Sequence, residues 1–256
     1  MGANAPCDQP TSINNVNAPV SHLDGPPLVR VVTQQRRIAA EALGTALLVA
    51  AVIGSGIMAQ RLTGDRAVAL LANTIATGGA LVAILLVFGP ISGAHLNPAV
   101  TLCMVAMKAQ TRRSAAGYIA AQIVGGIAGA ILANAMFELP PVTWSTTMRA
   151  GGAQLLSESV ATFGLLGVVI AVGRTRAAIT PIAVAAYIVA AYWFTASTSF
   201  ANPAVTIARA FSDTFAGIRP DDVAGFLVAQ TLGAAAGALV FSWLVPAQPT
   251  TALPAK

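Results

Sequence analysis

Charged side chains are scarce, making up only 9% of the 256 residues against 56% that are hydrophobic, where an ordinary soluble domain carries about 25%. Fourteen Lys+Arg and nine Asp+Glu cannot cover the surface of a water-soluble domain of this length. The solvent facing most of the chain is therefore lipid. Histidine and cysteine are equally sparse, at two each, and no Cys-x-x-Cys or Cys/His cluster offers a metal site. Cys7 lies in a polar tail and Cys103 in an apolar segment, so both are read as free thiols. The patterns H-E-x-x-H and G-x-S-x-G and the nucleotide-binding loops are missing, which argues against an enzyme. A net charge of +5 is no nucleic-acid footprint either, since no basic stripe interleaved with aromatics accompanies it.

What the chain has instead is apolar length, with a mean hydropathy of +0.74. Residues 1–36 are rich in Pro, Asn, Ser and Asp and read as a disordered tail; no charged start followed by an apolar core marks a signal peptide. A hydrocarbon core of about 30 Å takes about 20 residues of helix to cross, and six segments suffice: 38–60, 67–88, 114–136, 153–173, 177–196 and 223–245. Two further apolar segments, 96–107 and 202–211, have about half that length, and each carries Asn-Pro-Ala near its start. Irregular backbone at membrane depth is tolerated only where protein buries it or water lines it, so re-entrant segments here imply a cavity. Arg36 and Arg37, Lys108 with Arg112 and Arg113, and Arg174 with Arg176 fall on one side of a six-span chain. That placement predicts that both termini are cytoplasmic, in the cell membrane. Residues 246–256 form a second tail.

The two halves repeat one another. The first, about 37–136, holds E-A-L-G-T from Glu41, N-P-A-V-T from Asn97 and A-Q-I-V-G from Ala121. The second, about 153–245, holds E-S-V-A-T from Glu158, N-P-A-V-T from Asn202 and A-Q-T-L-G from Ala229. Three spans per half force the second copy to enter the membrane from the opposite side, an inverted repeat whose site lies near the midplane. Asn is a favoured helix N-cap and Pro suits the first helical position, so each tripeptide starts a half-helix. Two starts meeting end to end would place Asn97, Pro98 and Ala99 against Asn202, Pro203 and Ala204. Each helix N-terminus adds about half a positive charge, which opposes cations, while the two amides can donate to a neutral solute.

Ser92–Thr101 (S-G-A-H-L-N-P-A-V-T) and the second N-P-A, with the paired Glu and Gln, closely resemble the major intrinsic protein family of aquaporins and aquaglyceroporins. The resemblance covers about residues 37–245 and implies an all-α membrane fold: six transmembrane helices plus two re-entrant half-helices, assembled as a homotetramer. It implies a passive channel for small neutral solutes that needs no cofactor. Glu41 and Glu158 then accept hydrogen bonds from the re-entrant loops, although intramembrane acids also serve as ion relays. His95 braces the first loop or titrates as a gate, and Gln122 and Gln230 pack beside the repeat interface. The glycines at 125, 126, 129, 233 and 237 suit close helix contacts.

In the family an Arg normally follows the second N-P-A and helps to form the selectivity filter. This chain has Val205 there. Carrying over the family spacing gives Thr77, Ala190 and Ser199 as the remaining filter positions, with Thr77 and Ala190 placed by ungapped counting. Replacing a guanidinium by an isopropyl group removes five donors and a fixed charge and leaves a wider, more apolar opening. Arg209, one helical turn beyond Val205, either restores positive potential at the outer mouth or reaches into the headgroups. A missing filter Arg with the loop F-A-N-P-A-V-T-I-A-R resembles the bacterial channels associated with arsenic resistance, which implies glycerol-like polyols or trivalent arsenite and antimonite as solutes. An ion-coupled secondary transporter also uses inverted repeats and broken helices, and it stands as the alternative.

Overall fold

A computed structural model describes residues 32–247. Most of the tail expected to be disordered, with Cys7, lies outside the described residues, as does most of 246–256. Residues 34–36 depart from that expectation, because the first helix already begins there. It does so because Thr33 caps it, its side chain accepting from the backbone N–H of Arg36, which satisfies one of the orphan donors of a helix start.

Among the described residues eight α-helices follow in order: α1 (Gln34–Leu62), α2 (Arg66–Ser92), α3 (Pro98–Ala106), α4 (Arg112–Met136), α5 (Gly152–Thr175), α6 (Thr180–Phe194), α7 (Pro203–Arg209) and α8 (Pro220–Leu244). A 3₁₀ turn, Ala177–Ile179, precedes α6 and completes its membrane-length segment. All except α3 and α7 are long and apolar enough to span a membrane. The caps are those the sequence offers. Asp65 accepts from Ala67 and Val68 at 2.7 and 3.1 Å, and Thr111 accepts from Ser114 at 3.2 Å. Helix α2 runs four residues past the expected Phe88, carrying Pro90 in its last turn, and stops at Gly93, whose left-handed φ of 89° a glycine takes without strain.

The halves are built alike. In the first, Gly125 and Gly129 of α4 lie so close to the α1 carbonyls of Ala42 and Ala46 that a Cβ would strike those oxygens. In the second, Gly233 and Gly237 of α8 meet the α5 carbonyls of Ser159 and Phe163 in the same way. Small residues let the backbones touch where lipid supplies no hydrophobic drive for association. The outer faces carry large exposed apolar side chains such as Leu43, Val124, Val228, Leu232 and Leu239, the pattern of a lipid-facing surface. Helices α2 and α6, one from each half, pack together, and α3 and α7 lie inside the bundle.

Candidate functional site

Each Asn-Pro-Ala does two jobs. The Asn97 side chain caps its own helix by accepting from Ala99 N–H at 2.8 Å, and its Nδ2 donates to the carbonyl of Ala201 at 2.8 Å. Asn202 accepts from Ala204 and Val205 at 3.0 and 3.3 Å, and its Nδ2 donates to Leu96 at 2.8 Å. The two half-helices thus meet N-terminus to N-terminus, each holding the other's loop. The acceptors Leu96 and Ala201 both have left-handed φ, 50° and 47°. Non-glycine residues persist there only where their surroundings over-determine them.

The matched carboxylates supply that determination. Glu41 Oε1 accepts from Ser92 Oγ at 2.6 Å and from His95 N–H at 3.0 Å, and Oε2 accepts from Leu96 N–H at 2.6 Å and Gln122 Nε2 at 2.7 Å. Glu158 accepts from Phe200 and Ala201 N–H at 2.8 and 2.9 Å and from Gln230 Nε2 at 2.6 Å. Both carboxylates are fully buried. Gln122 and Gln230 each donate onward to a half-helix hydroxyl, Thr101 at 3.0 Å and Thr206 at 2.8 Å. The glutamines therefore clamp the half-helices as well as packing beside the interface. His95 sits against Thr101, with Nδ1 3.1 Å from its hydroxyl, and meets the Tyr118 ring edge-on.

A cavity of about 520 Å³ runs beside this junction. On α2 the lining residues Thr77, Leu81, Leu85 and Gly89, and on α6 Val184, Ile188 and Tyr192, recur every four residues, one face of each helix. The half-helices contribute Asn97, Val100 and Met104 on one side of the junction and Asn202, Val205 and Arg209 on the other. Thr77, Ser199 and Val205 line the cavity. Ala190 does not: it is exposed on the outer surface of α6, and Ile188 and Tyr192 occupy the cavity face. Two residues along a helix turn a side chain by about 200°, which carries a miscounted position from the cavity to the outer surface.

Arg209 is fully buried, which overturns its reach into the headgroups. Its Nε donates to the Ala216 carbonyl and its guanidinium carbon stands 3.4 Å from the Phe200 ring centroid. Arg149, from the loop between α4 and α5, was not singled out by the sequence and stands over the same ring at 4.8 Å. The hydroxyls Thr77 Oγ1 and Ser199 Oγ are sealed from solvent and have no partner among the described residues.

Residues 29–199 match the major intrinsic protein family. The chain belongs to that family. It is 56% identical over 215 residues to aquaglyceroporin AqpS of Rhizobium meliloti, an alignment that spans 84% of this chain and 92% of that one. It is 31% identical over 222 residues to aquaporin NIP3-1 of Oryza sativa, spanning 82% and 68%. The fold is that of the solved aquaglyceroporin from Plasmodium falciparum, with a TM-score of 0.63 at 22% identity, covering 83% of this chain and 95% of that one. As a major intrinsic protein it is a membrane channel for small solutes and not an enzyme.

Proposed function

We propose that the protein is a passive channel for small uncharged solutes of the polyol type, glycerol foremost, with trihydroxy arsenite and antimonite as members of the same class. The observation that carries this reading is the lining near Val205. Thr77 and Ser199 share the cavity wall with the alkyl groups of Val205 and Ile188, and the amides of Asn97 and Asn202 border the same space. A solute with hydroxyls and a carbon or metalloid backbone can accept from those amides and lie against the alkyl groups. The likeness to a named aquaglyceroporin supports the same solute class. The Lys/Arg placement supports cytoplasmic termini, and the family supports a homotetramer in the cell membrane.

The test is swelling of proteoliposomes under inwardly directed water, glycerol, urea and arsenite gradients. Glycerol and arsenite flux are expected to persist when proton and sodium gradients are dissipated. Uptake that collapses with the proton gradient would favour the ion-coupled transporter.

A further inference from the structure

The fixed charge absent at Val205 has not left this end of the pore. Two arginines converge on Phe200, in the loop that delivers Asn202. The Arg209 guanidinium lies 3.4 Å and that of Arg149 4.8 Å from the ring centroid, so the two charges lie within about one Debye length of each other. Neither pairs with a carboxylate among the described residues, where the ion pairs join Arg219 to Asp221 and Asp222. Neutral carbonyls hold them instead. Arg149 donates to Gly217, Ser197 and Phe215 at 2.7, 3.1 and 3.3 Å, and Arg209 donates to Ala216. Three successive carbonyls, 215 to 217, thus face the two guanidiniums. Carbonyl dipoles and an aromatic face stabilise a cation without cancelling its charge.

The two arginines differ in what they have left over. Arg149 uses Nε and both Nη atoms on carbonyls, and its backbone N–H is taken by Asp222 Oδ2 at 2.8 Å. Arg209 commits only Nε; its Nη groups have no partner among the described residues and are not sealed off, and the residue borders the cavity. Burial pushes Arg149 down to about 10, which leaves it cationic at neutral pH.

We propose that Arg209, positioned on Phe200 with Arg149 behind it, is the charge-selectivity element of this channel, one helical turn farther from the Asn-Pro-Ala junction than Val205. Four residues of helix displace the charge by about 6 Å along the axis. The position beside the junction is thereby left open to solutes larger than water, while an electrostatic barrier to cations and protons stands at the mouth where α7 ends. In a water-poor site such a barrier is far stronger than the same charges in bulk water.

This inference rests on the channel reading, and the experiment keeps the two apart. Vesicles containing the full chain and a pH-sensitive dye report proton flux, and light scattering reports glycerol flux in the same preparation. Wild-type vesicles that fail to swell in glycerol would sink the channel reading itself. In swelling-competent preparations, Arg209→Gln is expected to raise the ratio of proton to glycerol flux by about tenfold or more, and Arg149→Gln to raise it less. Arg209→Lys, which keeps the charge without the planar stack, is expected to hold the ratio near wild type. An unchanged ratio in either Gln variant that still swells, or a Lys variant that leaks as freely as Gln, overturns the proposal. Should neither Gln variant assemble, Arg209→Met, uncharged and of similar length, takes their place with the same expected rise.

Discussion

Glu41 and Glu158 hold equivalent places in the two halves but carry unequal loads: Glu41 receives four hydrogen bonds and Glu158 three. The difference is Ser92, whose hydroxyl donates to Glu41 at 2.6 Å. Its counterpart Ser197 has its carbonyl bound by Arg149, whereas the Ser92 carbonyl is bound by the Tyr118 hydroxyl at 2.8 Å. The half that delivers a guanidinium to the pore thus fastens its loop differently from the half that does not.

Replacing either carboxylate by an amide puts an NH₂ group against backbone donors. Glu41→Gln is expected to cost about 2–3 kcal/mol and Glu158→Gln somewhat less, on the scale of hydrogen bonds to charged groups. Thermal unfolding of the detergent-solubilised protein reads this directly. Equal melting of both variants with wild type would show that these carboxylates do not hold the loops.

The glycine contacts make a sharper stability test. Gly125→Ala and Gly233→Ala place a methyl on the carbonyl oxygens of Ala42 and Ser159, and overpacking of this kind costs about 1–3 kcal/mol or more. Gly79→Ala, on the exposed side of α2 with nothing within 4 Å of its Cβ, is expected to be neutral or to gain up to about 1 kcal/mol from helix propensity. Monodisperse yield on size exclusion separates the two classes.

Asp caps a helix as well as Asn does but cannot donate. Asn202→Asp is therefore expected to keep α7 and lose the bond to Leu96, while setting a negative charge at the junction. Solute flux should fall and cation leak should rise, whereas Asn202→Ala should lose both cap and cross-link without the leak. The same proton-flux and swelling assays distinguish them, and an ion-tight Asp variant would count against an electrostatic role for the junction.

Val205→Arg returns a guanidinium to the first turn of α7, below Arg209 on the same face. Glycerol and arsenite fluxes are expected to drop by about tenfold or more, with water flux reduced less, because five donors and a longer side chain fill the space beside Thr77 and Ser199. Equal loss of all three fluxes would mean that position 205 is not a discriminating point.

The elements were legible in the sequence where their causes are local. Asn-Pro at a helix start, Asp65 and Thr111 as caps, and glycines spaced at four on α4 and α8 all act within a turn of where they stand. Pairing the halves required only that identical motifs recur. Ala190 was misplaced because ungapped counting carries along any residue gained or lost between two chains, and on a helix a shift of two residues turns the side chain to the opposite face. Arg149 was hidden for a different reason. An arginine in a loop of fifteen residues between α4 and α5 looks like any solvated charge, and only the three-dimensional approach of Ser197 and Phe215–Gly217 gives it a buried place.

The crossed bonds between the half-helices also bear on how the protein is made. Leu96 waits for the amide of Asn202, which leaves the ribosome 106 residues later, and the Asn97 amide waits for the carbonyl of Ala201. A first half inserted alone would hold an unanswered carbonyl and an unanswered amide at membrane depth. The junction between the half-helices is therefore beyond either half alone, and its two crossed bonds form only when both loops are in place.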